Sequence, residues 1–183
     1  MRYSFHITLT DEDYYGFNQF GMLQLPYGKR QVNYARIMIA VSILLVIFVV
    51  MLGSEFALWA RHTTVILVLF LLIIEFAFTP ILKHALKMHL KQIRKSGKMP
   101  YSPSSVIEFY EDRFIETTAE NKTEQLYSSV ERISVIDNKI IYLHINNLMA
   151  YLIPVASFES TSQYDEFLDF MKTKCSTIHI YDD

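Results

Sequence analysis

The sequence predicts an α+β membrane protein, in which a two-helix transmembrane hairpin carries a cytoplasmic antiparallel-sheet domain that ends in a helix. Three observations support this fold class. Two apolar stretches, 37–52 and 65–82, approach the length that crosses a bilayer. Lysines and arginines border both stretches. The residues after 104 resemble a series of short strands separated by turn residues.

The first predicted element is a strand. Residues 2–9 alternate without interruption, so that Tyr3, Phe5, Ile7 and Leu9 share one face and polar residues take the other. A lone strand is unstable, and the only other strands predicted on the same side of the membrane follow residue 104. We therefore expect the N-terminal strand to join the C-terminal sheet, although both spans intervene in the sequence.

A short helix is predicted next. Thr10 is a suitable N-cap, and the acidic residues 11–13 favour the first helical turn. Tyr14, Phe17 and Phe20 follow at helical spacing. This helix either rests on the sheet or lies in the headgroup layer of the membrane. Three residues are expected to mark the connection to the first span: Gly21, Pro26 and Gly28.

The two spans are predicted at 37–56 and 64–83. The first apolar run must extend to Phe56 to reach about 20 residues, which places Glu55 at the outer interface, with Trp59 close by as an amphipathic anchor. The second span contains Pro80, which we expect to kink its last turns. Two core helices of a soluble protein are the alternative, but these helices are apolar on all sides.

A mid-span carboxyl group, Glu75, is the main objection to the second span. The fourteen Leu, Ile, Val and Phe residues between 65 and 82 favour insertion by about 4 to 8 kcal/mol. An acidic residue at mid-span costs about 2.5 to 3.5 kcal/mol on the same kind of scale. Insertion is therefore favoured despite Glu75.

Nine basic residues flank the spans on one side, whereas the connecting loop at about 57–63 contains only Arg61. The nine are Lys29, Arg30, Arg36, Lys83, Lys87, Lys91, Arg94, Lys95 and Lys98. The positive-inside rule then predicts a multi-pass protein of the cell membrane with both termini in the cytoplasm. These residues are either a topological signal alone or also a surface that recruits anionic lipid.

The domain plan has four parts. Residues 1–35 form the cytoplasmic N-terminal strand and helix, 36–85 the transmembrane hairpin, 86–103 a basic juxtamembrane helix and linker, and 104–183 the cytoplasmic domain. The strands of that domain are predicted at 106–110, 113–118, 125–130 continuing through Ile133 and Val135, 139–145, and 148–153. Turns are predicted at 111–112, 137–138 and 146–147.

An amphipathic helix is predicted to end the domain. Ser162 is its expected N-cap, and the helix runs to about Lys174. Its apolar face is formed by four residues at i, i+3, i+4 and i+7: Tyr164, Phe167, Leu168 and Met171.

These residues resemble a known family. The segments VIEFYEDRFIETT, LYSSVERISVIDNKIIYLHINNLMAYLIPVASF and YDEFLDFMKTK are similar to the C-terminal domain of the YcxB-like family, and LTDEDYYGFNQF is similar to the start of such proteins. The turn at Asn146 and Asn147 and the run from Leu152 to Phe158 are the sharpest parts of the match. The resemblance implies a bacterial membrane protein with a pleckstrin-homology-like cytoplasmic domain, and it assigns no catalytic or ligand-binding residue.

Glu75 and Ser42 are the predicted membrane-embedded polar residues. If the hairpin turns near Trp59, Ser42 and Glu75 lie at about the same depth. A protonated Glu75 is then expected to bond to Ser42 or to Glu75 of a second copy. A role in ion or proton movement, and recognition of a membrane-embedded partner, are the alternatives.

No catalytic, cofactor-binding or metal-binding motif occurs in the sequence, so we expect no enzyme activity and no cofactor. Residues 101–183 hold 14 Asp and Glu against 6 Lys and Arg, which disfavours nucleic-acid binding. The expected partners are the lipid bilayer and a protein or a second copy. The main hypothesis is a membrane-anchored interaction or regulatory module. The alternatives are self-immunity or envelope-stress protection against a membrane-active peptide or toxin, and, least favoured, an enzyme or transporter.

Overall fold

The structure is a computed structural model that describes residues 1–52, 57–97 and 101–181. The chain divides into two compact units. The first, here called the sheet unit, comprises Met1–Phe17 and Ile93–Asp183. The second, the helix unit, comprises Asn18–Gln92. The two boundaries between the units fall inside helices α1 and α3, whose bounds are given below.

Two long apolar helices dominate the described part of the helix unit. Helix α2 spans Pro26–Leu52 and helix α3 spans Ala57–Lys95. No residue in the most apolar 18-residue stretch of either helix is buried against the described residues. Both helices are therefore long and apolar enough to cross a membrane, as the sequence predicted.

Both helices continue beyond the predicted spans. Helix α2 begins at Pro26, ten residues before the predicted start of the hairpin, because proline is well tolerated where no helical N–H is needed. Helix α3 continues past Lys83 to Lys95, so the predicted juxtamembrane helix is the last part of α3. The predicted interface residue Glu55 lies outside the described residues.

Helix α1 spans Asp11–Leu23, and its N-cap is Thr10, as predicted. The hydroxyl of Thr10 accepts a hydrogen bond from the N–H of Asp13 at 3.2 Å, and the Asp13 carboxylate accepts one from the N–H of Thr10 at 2.8 Å. This reciprocal pair satisfies two N–H groups at the start of the helix.

Helices α1 and α2 approach each other closely at a glycine. A Cβ atom on Gly28 would collide with the carbonyl oxygen of Gly21 and lie 2.6 Å from the Cα of Met22. Gly21 was predicted to lie in the connection, but it lies inside α1, because the N–H of Gln24 still bonds to the carbonyl of Phe20 at 2.8 Å. Gly28 is therefore the residue that the close contact requires.

The N-terminal strand joins the C-terminal sheet, which confirms the sequence prediction. Strand β1, Tyr3–Thr8, pairs antiparallel with β2, Ser104–Phe109. The register places Tyr3 opposite Phe109 and Thr8 opposite Ser104. Strands β3, Arg113–Thr118, and β4, Lys122–Leu126, complete this first sheet in the order β1-β2-β3-β4.

A second four-stranded sheet has the order β7-β6-β5-β8. Its strands are β5, Arg132–Ile136, β6, Ile140–His144, β7, Ala150–Pro154, and β8, Ile178–Tyr181. The predicted turn between β5 and β6 is confirmed, because Asp137 and Asn138 have φ angles of 48° and 50°. Asn146 forms the next predicted turn, and its side-chain oxygen accepts bonds from the N–H groups of Leu148 and Met149.

The predicted strand that continued from Gln125 through Val135 is wrong. A 3-10 turn at Tyr127–Ser129 divides it, so that β4 and β5 belong to different sheets. The Tyr127 hydroxyl donates to the Tyr110 carbonyl at 2.8 Å, and the Ser129 hydroxyl donates to the Leu126 carbonyl at 2.7 Å. These bonds hold the change of direction, which apolar periodicity does not reveal.

Helix α4, Thr161–Lys174, ends at the predicted residue, but its N-cap is Ser160 rather than Ser162. The Ser160 hydroxyl accepts from the N–H of Gln163 at 3.2 Å, whereas the Ser162 hydroxyl donates to Glu166. The predicted apolar face is confirmed, because all four of its side chains are buried: Tyr164, Phe167, Leu168 and Met171.

Two features of the domain depart from the predicted antiparallel sheet that ends in a helix. Helix α4 is followed by a further strand, β8, and β8 pairs with β5 in parallel. A parallel neighbour requires a crossover connection, and the chain from β5 through α4 supplies it. Four residues after a helix are too few for periodicity to identify a strand.

Aromatic rings fill the space between the sheets and α4. The Phe5 ring centroid lies 4.5 Å from that of Phe158 and 5.2 Å from that of Phe167. The Phe109 centroid lies 4.9 Å from that of Phe167 and 5.5 Å from that of Phe114. The N-terminal strand thus supplies a central side chain of the core.

Candidate membrane-anchoring and docking surfaces

Arg36 links the two long helices of the helix unit. One guanidinium nitrogen of Arg36 donates to the hydroxyl of Thr79 at 2.8 Å, and the guanidinium carbon lies 5.1 Å from the centre of the Phe78 ring. The sequence singled out Arg36 as a basic border residue but did not predict either partner. The Arg36 guanidinium group therefore joins α2 to α3, in addition to its predicted place at the border of the first span.

Replacing Arg36 with alanine should weaken the α2–α3 hairpin by about 1 to 2 kcal/mol, because one interhelical hydrogen bond and one cation–π contact are lost. Unfolding of the full chain by SDS in mixed micelles, followed by helical circular dichroism, measures this change. Arg30→Ala is the matched control, since Arg30 bonds to Tyr34 of its own helix at 3.1 Å. Equal losses in the two variants would contradict the assigned role.

The two polar residues predicted to lie in the membrane, Ser42 and Glu75, do not bond to each other. The Ser42 hydroxyl donates to the carbonyl of Met38 at 2.8 Å, one turn earlier in α2. Within the described residues, no hydrogen bond joins Ser42 to Glu75, whose side chain is half-buried. Pairing of Glu75 with a second copy stays a prediction.

The predicted basic residues divide into several environments. Lys29, Arg30 and Arg36 lie on α2, and five others lie on α3: Lys83, Lys87, Lys91, Arg94 and Lys95. Lys98 lies outside the described residues. Lys87, Lys91 and Lys95 are exposed. Arg94 instead forms an ion pair with Asp11, so part of its charge is already neutralised.

The ion pair of Arg94 belongs to a small polar cluster at the start of α1. The Tyr101 hydroxyl donates to the Asp11 carboxylate at 2.6 Å, and the Tyr101 ring stacks on Tyr14 at 5.1 Å. Burial, followed by the bond to Asp11 and its negative charge, raises the pKa of Tyr101 to about 12. The cluster therefore ties the end of α3 and the linker to the first turn of α1.

Helix α1 rests on the second sheet, which decides between the two predicted positions for its first half. The Phe17 ring lies 5.3 Å from that of Tyr142 on β6. A Cβ atom on Gly16 would lie 3.7 Å from the Tyr142 hydroxyl. Strand β6 is buried along its full length. One of its faces points into the core, and α1 covers the other.

A buried histidine lies beneath α1. His144 is fully buried, and its Nε2 atom lies 3.2 Å from the hydroxyl of Ser134. Burial, with a smaller effect of the Arg132 charge, lowers the pKa of His144 to about 4. The imidazole is thus neutral in the folded protein at neutral pH and acts as a structural group.

Stability should fall as the pH falls from about 6.5 to about 4, because the unfolded chain binds a proton at His144 that the folded chain does not. The loss from this residue is about 3 kcal/mol over that window. Denaturant unfolding of the full chain in detergent at pH 7 and pH 4 measures it. His144→Gln should lose about 3 kcal/mol less than the wild type between these pH values, and an unchanged pH dependence would contradict the assignment.

The single cysteine is also a core group. Cys175 is buried, and burial raises the pKa of its thiol. A thiol with a raised pKa holds little thiolate and is a poor nucleophile. This position is of use chiefly as a reporter of unfolding.

The two sheets leave different edges open. The edge strands are β1 and β4 in the first sheet and β7 and β8 in the second, and β1 contacts β7. The edges on the far side of each sheet from this contact are β4 and β8. Strand β4 carries exposed charges at Lys122 and Glu124, which natural proteins use to protect an edge from pairing. Strand β8 contains no Lys, Arg, Asp or Glu, and Ile180 is 63% exposed.

Part of the sheet unit is similar to a known protein family. Residues 109–171 match the family model described as YcxB-like protein. The match runs from the end of β2 into α4, and it confirms the family resemblance for this part of the chain. No curated protein and no solved structure matches the sequence.

Proposed function

We propose that this chain, YcxB-like over residues 109–171, is a membrane-anchored module that binds a protein partner and catalyses no reaction. In this proposal α2 and α3 cross the cell membrane, and both termini lie in the cytoplasm. The sheet unit adopts a pleckstrin-homology-like fold and presents the open edge of β8. An extended segment of the partner adds to that edge as a further strand.

The apolar surfaces of α2 and α3 support the membrane part of the proposal. Large apolar side chains such as Leu45, Val49 and Ile73 are more than half exposed. An exposed apolar surface of this extent is unfavourable in water and suits the hydrocarbon of a bilayer. Basic residues are concentrated near the start of α2 and the end of α3, whereas the segment between the predicted spans contains only Arg61. This asymmetry supports a cytoplasmic location for the termini.

The sheets and helix α4 support the fold assignment. Two four-stranded sheets pack with α4, and this arrangement supports the proposed pleckstrin-homology-like fold. The burial of His144 and Cys175 supports a structural role for both residues. Burial lowers the pKa of His144 and raises that of Cys175, and each shift favours the neutral form of the side chain. The charge balance of residues 101–183, at 14 acidic to 6 basic residues, supports a protein partner rather than nucleic acid.

The single observation that carries the proposal is the contrast between the two open edges. An uncharged edge strand with an exposed isoleucine is a ready template for strand addition, whereas charges on an edge oppose it. Strand β8 has the first character and β4 has the second. The interaction site is therefore assigned to β8.

Photo-cross-linking from position 180 in the full chain tests this assignment. A photoreactive side chain at Ile180 should give a discrete cross-linked product in membranes, and the same group at Thr123 on β4 should not. To test the backbone of the open edge, the photoreactive group is moved to His179 so that position 180 can be changed. Adding Ile180→Pro to that chain should abolish the cross-linked product, because proline removes an N–H group from the open edge. A proline at His179 would break the bonds to β5 instead and serves as the unfolding control.

Equal cross-linking from the two edges, or persistence of the product in the Ile180→Pro chain, would contradict the proposed function. Circular dichroism of the purified Ile180→Pro chain shows whether the fold is retained.

A further inference from the structure

We infer that the occupant of the β8 edge is the β8 edge of a second copy of this chain, in an antiparallel pair centred on His179. This inference rests on the proposed function, because it names the partner for the same edge. It would join two four-stranded sheets into one continuous sheet across a two-fold axis.

The hydrogen bonds of β8 define which backbone groups face outward. The carbonyl of Thr177 accepts from the N–H of Ile133 at 2.9 Å, and the carbonyl of Tyr181 accepts from the N–H of Asp137 at 2.9 Å. In a parallel ladder, alternate residues bond to the same neighbour. Residues 177, 179 and 181 therefore face β5, and the backbone groups of Ile178 and Ile180 face the open side.

This outward pattern is self-complementary. Two outward residues separated by one residue match the repeat of hydrogen-bonded pairs in an antiparallel ladder. When His179 lies on the two-fold axis, Ile178 is opposite Ile180 of the second copy, and Ile180 is opposite Ile178. Each of these two pairs exchanges both of its backbone hydrogen bonds, so all the outward groups of β8 at Ile178 and Ile180 are satisfied.

The side chains of β8 also suit a second copy. The strand contains no Lys, Arg, Asp or Glu, so self-pairing places no such like charges opposite each other. Ile178 packs partly against the core of its own sheet unit, and Ile180 is 63% exposed. In the antiparallel register each exposed Ile180 gains Ile178 of the second copy as its cross-strand neighbour, which removes apolar surface from water.

Anchoring in a membrane favours self-pairing over pairing with an unrelated segment. Two copies in one bilayer share the same orientation, which is the arrangement that a two-fold axis along the membrane normal requires. Confinement to the membrane also raises their effective concentration. A short edge strand can then associate with few hydrogen bonds.

Disulfide trapping of the full chain in native membranes tests the register. Cys175 is buried, so the wild-type chain provides the baseline. His179→Cys should form a covalent dimer under mild oxidation, because directly opposed residues lie within disulfide range. Ile180→Cys and Thr123→Cys should each give roughly tenfold less, because their symmetry mates are beyond that range in this register. Adding Ile180→Pro to His179→Cys should lower the dimer fraction by roughly tenfold.

The outcomes separate this inference from the proposed function. A strong dimer at His179→Cys, with little at Ile180→Cys and Thr123→Cys, supports the inference. A stronger dimer at Ile180→Cys overturns the register. If no thiol position gives a dimer but the photoreactive group at position 180 captures a different protein, the second copy is wrong and strand addition stands. If neither method gives a product, both proposals are overturned.

Discussion

The variant Phe5→Ala should destabilise the sheet unit by about 3 to 5 kcal/mol, although residue 5 is separated from the rest of that unit by both predicted spans. The Phe5 side chain is 1% exposed, and its ring contacts those of Phe109, Phe158 and Phe167. Truncation removes these contacts and leaves a cavity between the sheets. The expected loss is a large part of the stability of a typical domain.

The thiol of Cys175 provides the measurement. Because Cys175 is buried, its labelling in the native full chain reports opening of the sheet unit. Phe5→Ala should raise the labelling rate by about two to three and a half powers of ten, whereas His6→Ala, on the exposed face of the same strand, should change it by less than about threefold. An unchanged rate in Phe5→Ala would show that β1 does not contribute to the core.

The variant Gly28→Ala should disrupt the contact between α1 and α2, at a cost of about 1 to 3 kcal/mol or more. The added methyl group would overlap the carbonyl oxygen of Gly21 and crowd the Cα and carbonyl oxygen of Met22. These are backbone atoms, so no side-chain rotation relieves the collision. The two helices must separate or bend, and the packing between them is lost.

Gly21→Ala is the matched control for this contact. An alanine at position 21 meets nothing within 4 Å, and in a helix interior alanine is preferred to glycine by up to about 1 kcal/mol. Unfolding of the two variants in mixed micelles should therefore show a loss for Gly28→Ala and no loss for Gly21→Ala. Similar behaviour of the two variants would contradict the close approach assigned to Gly28.

Local patterns in the sequence predicted many of the elements correctly. The alternation at residues 2–9 identified β1, and the absence of another partner identified the sheet that it joins. Thr10 was identified as a cap because its hydroxyl and three following acidic residues suit a helix start. Asp137 and Asn138 were recognisable as a turn because Asp and Asn tolerate the positive φ angles that both residues adopt.

The errors arose where a long-range contact decides the local structure. The break between β4 and β5 depends on a bond from Tyr127 to Tyr110, which periodicity cannot detect. Strand β8 is short and gains its order from pairing with β5. The requirement for Gly28 comes from the backbone of α1. In the first two cases the deciding contact is made by a residue distant in the sequence, and at Gly28 it is made by the backbone of the preceding helix.

For the candidate surfaces too, local features could be predicted from the sequence, whereas long-range contacts could not. The basic residues beside the predicted spans, and Glu75 and Ser42 within them, could be identified from the sequence because charge and hydropathy are local properties. The bonds of Arg36 to Thr79 and of Arg94 to Asp11 were not, since they join positions 43 and 83 residues apart. The open edge at β8 required the strand order of the second sheet, in which β8 pairs in parallel with β5.

The orientation of the chain in the membrane is the central claim, and single-cysteine labelling in intact cells tests it most directly. Arg61→Cys lies between the predicted spans, and Glu120→Cys lies in the exposed turn between β3 and β4; the wild-type chain, with its buried Cys175, gives the background. A membrane-impermeant maleimide should label Arg61→Cys in intact cells and Glu120→Cys only after the cells are permeabilised. Labelling of Glu120→Cys before permeabilisation, or equal labelling of the two positions in intact cells, would contradict a cytoplasmic sheet unit anchored by two membrane-spanning helices.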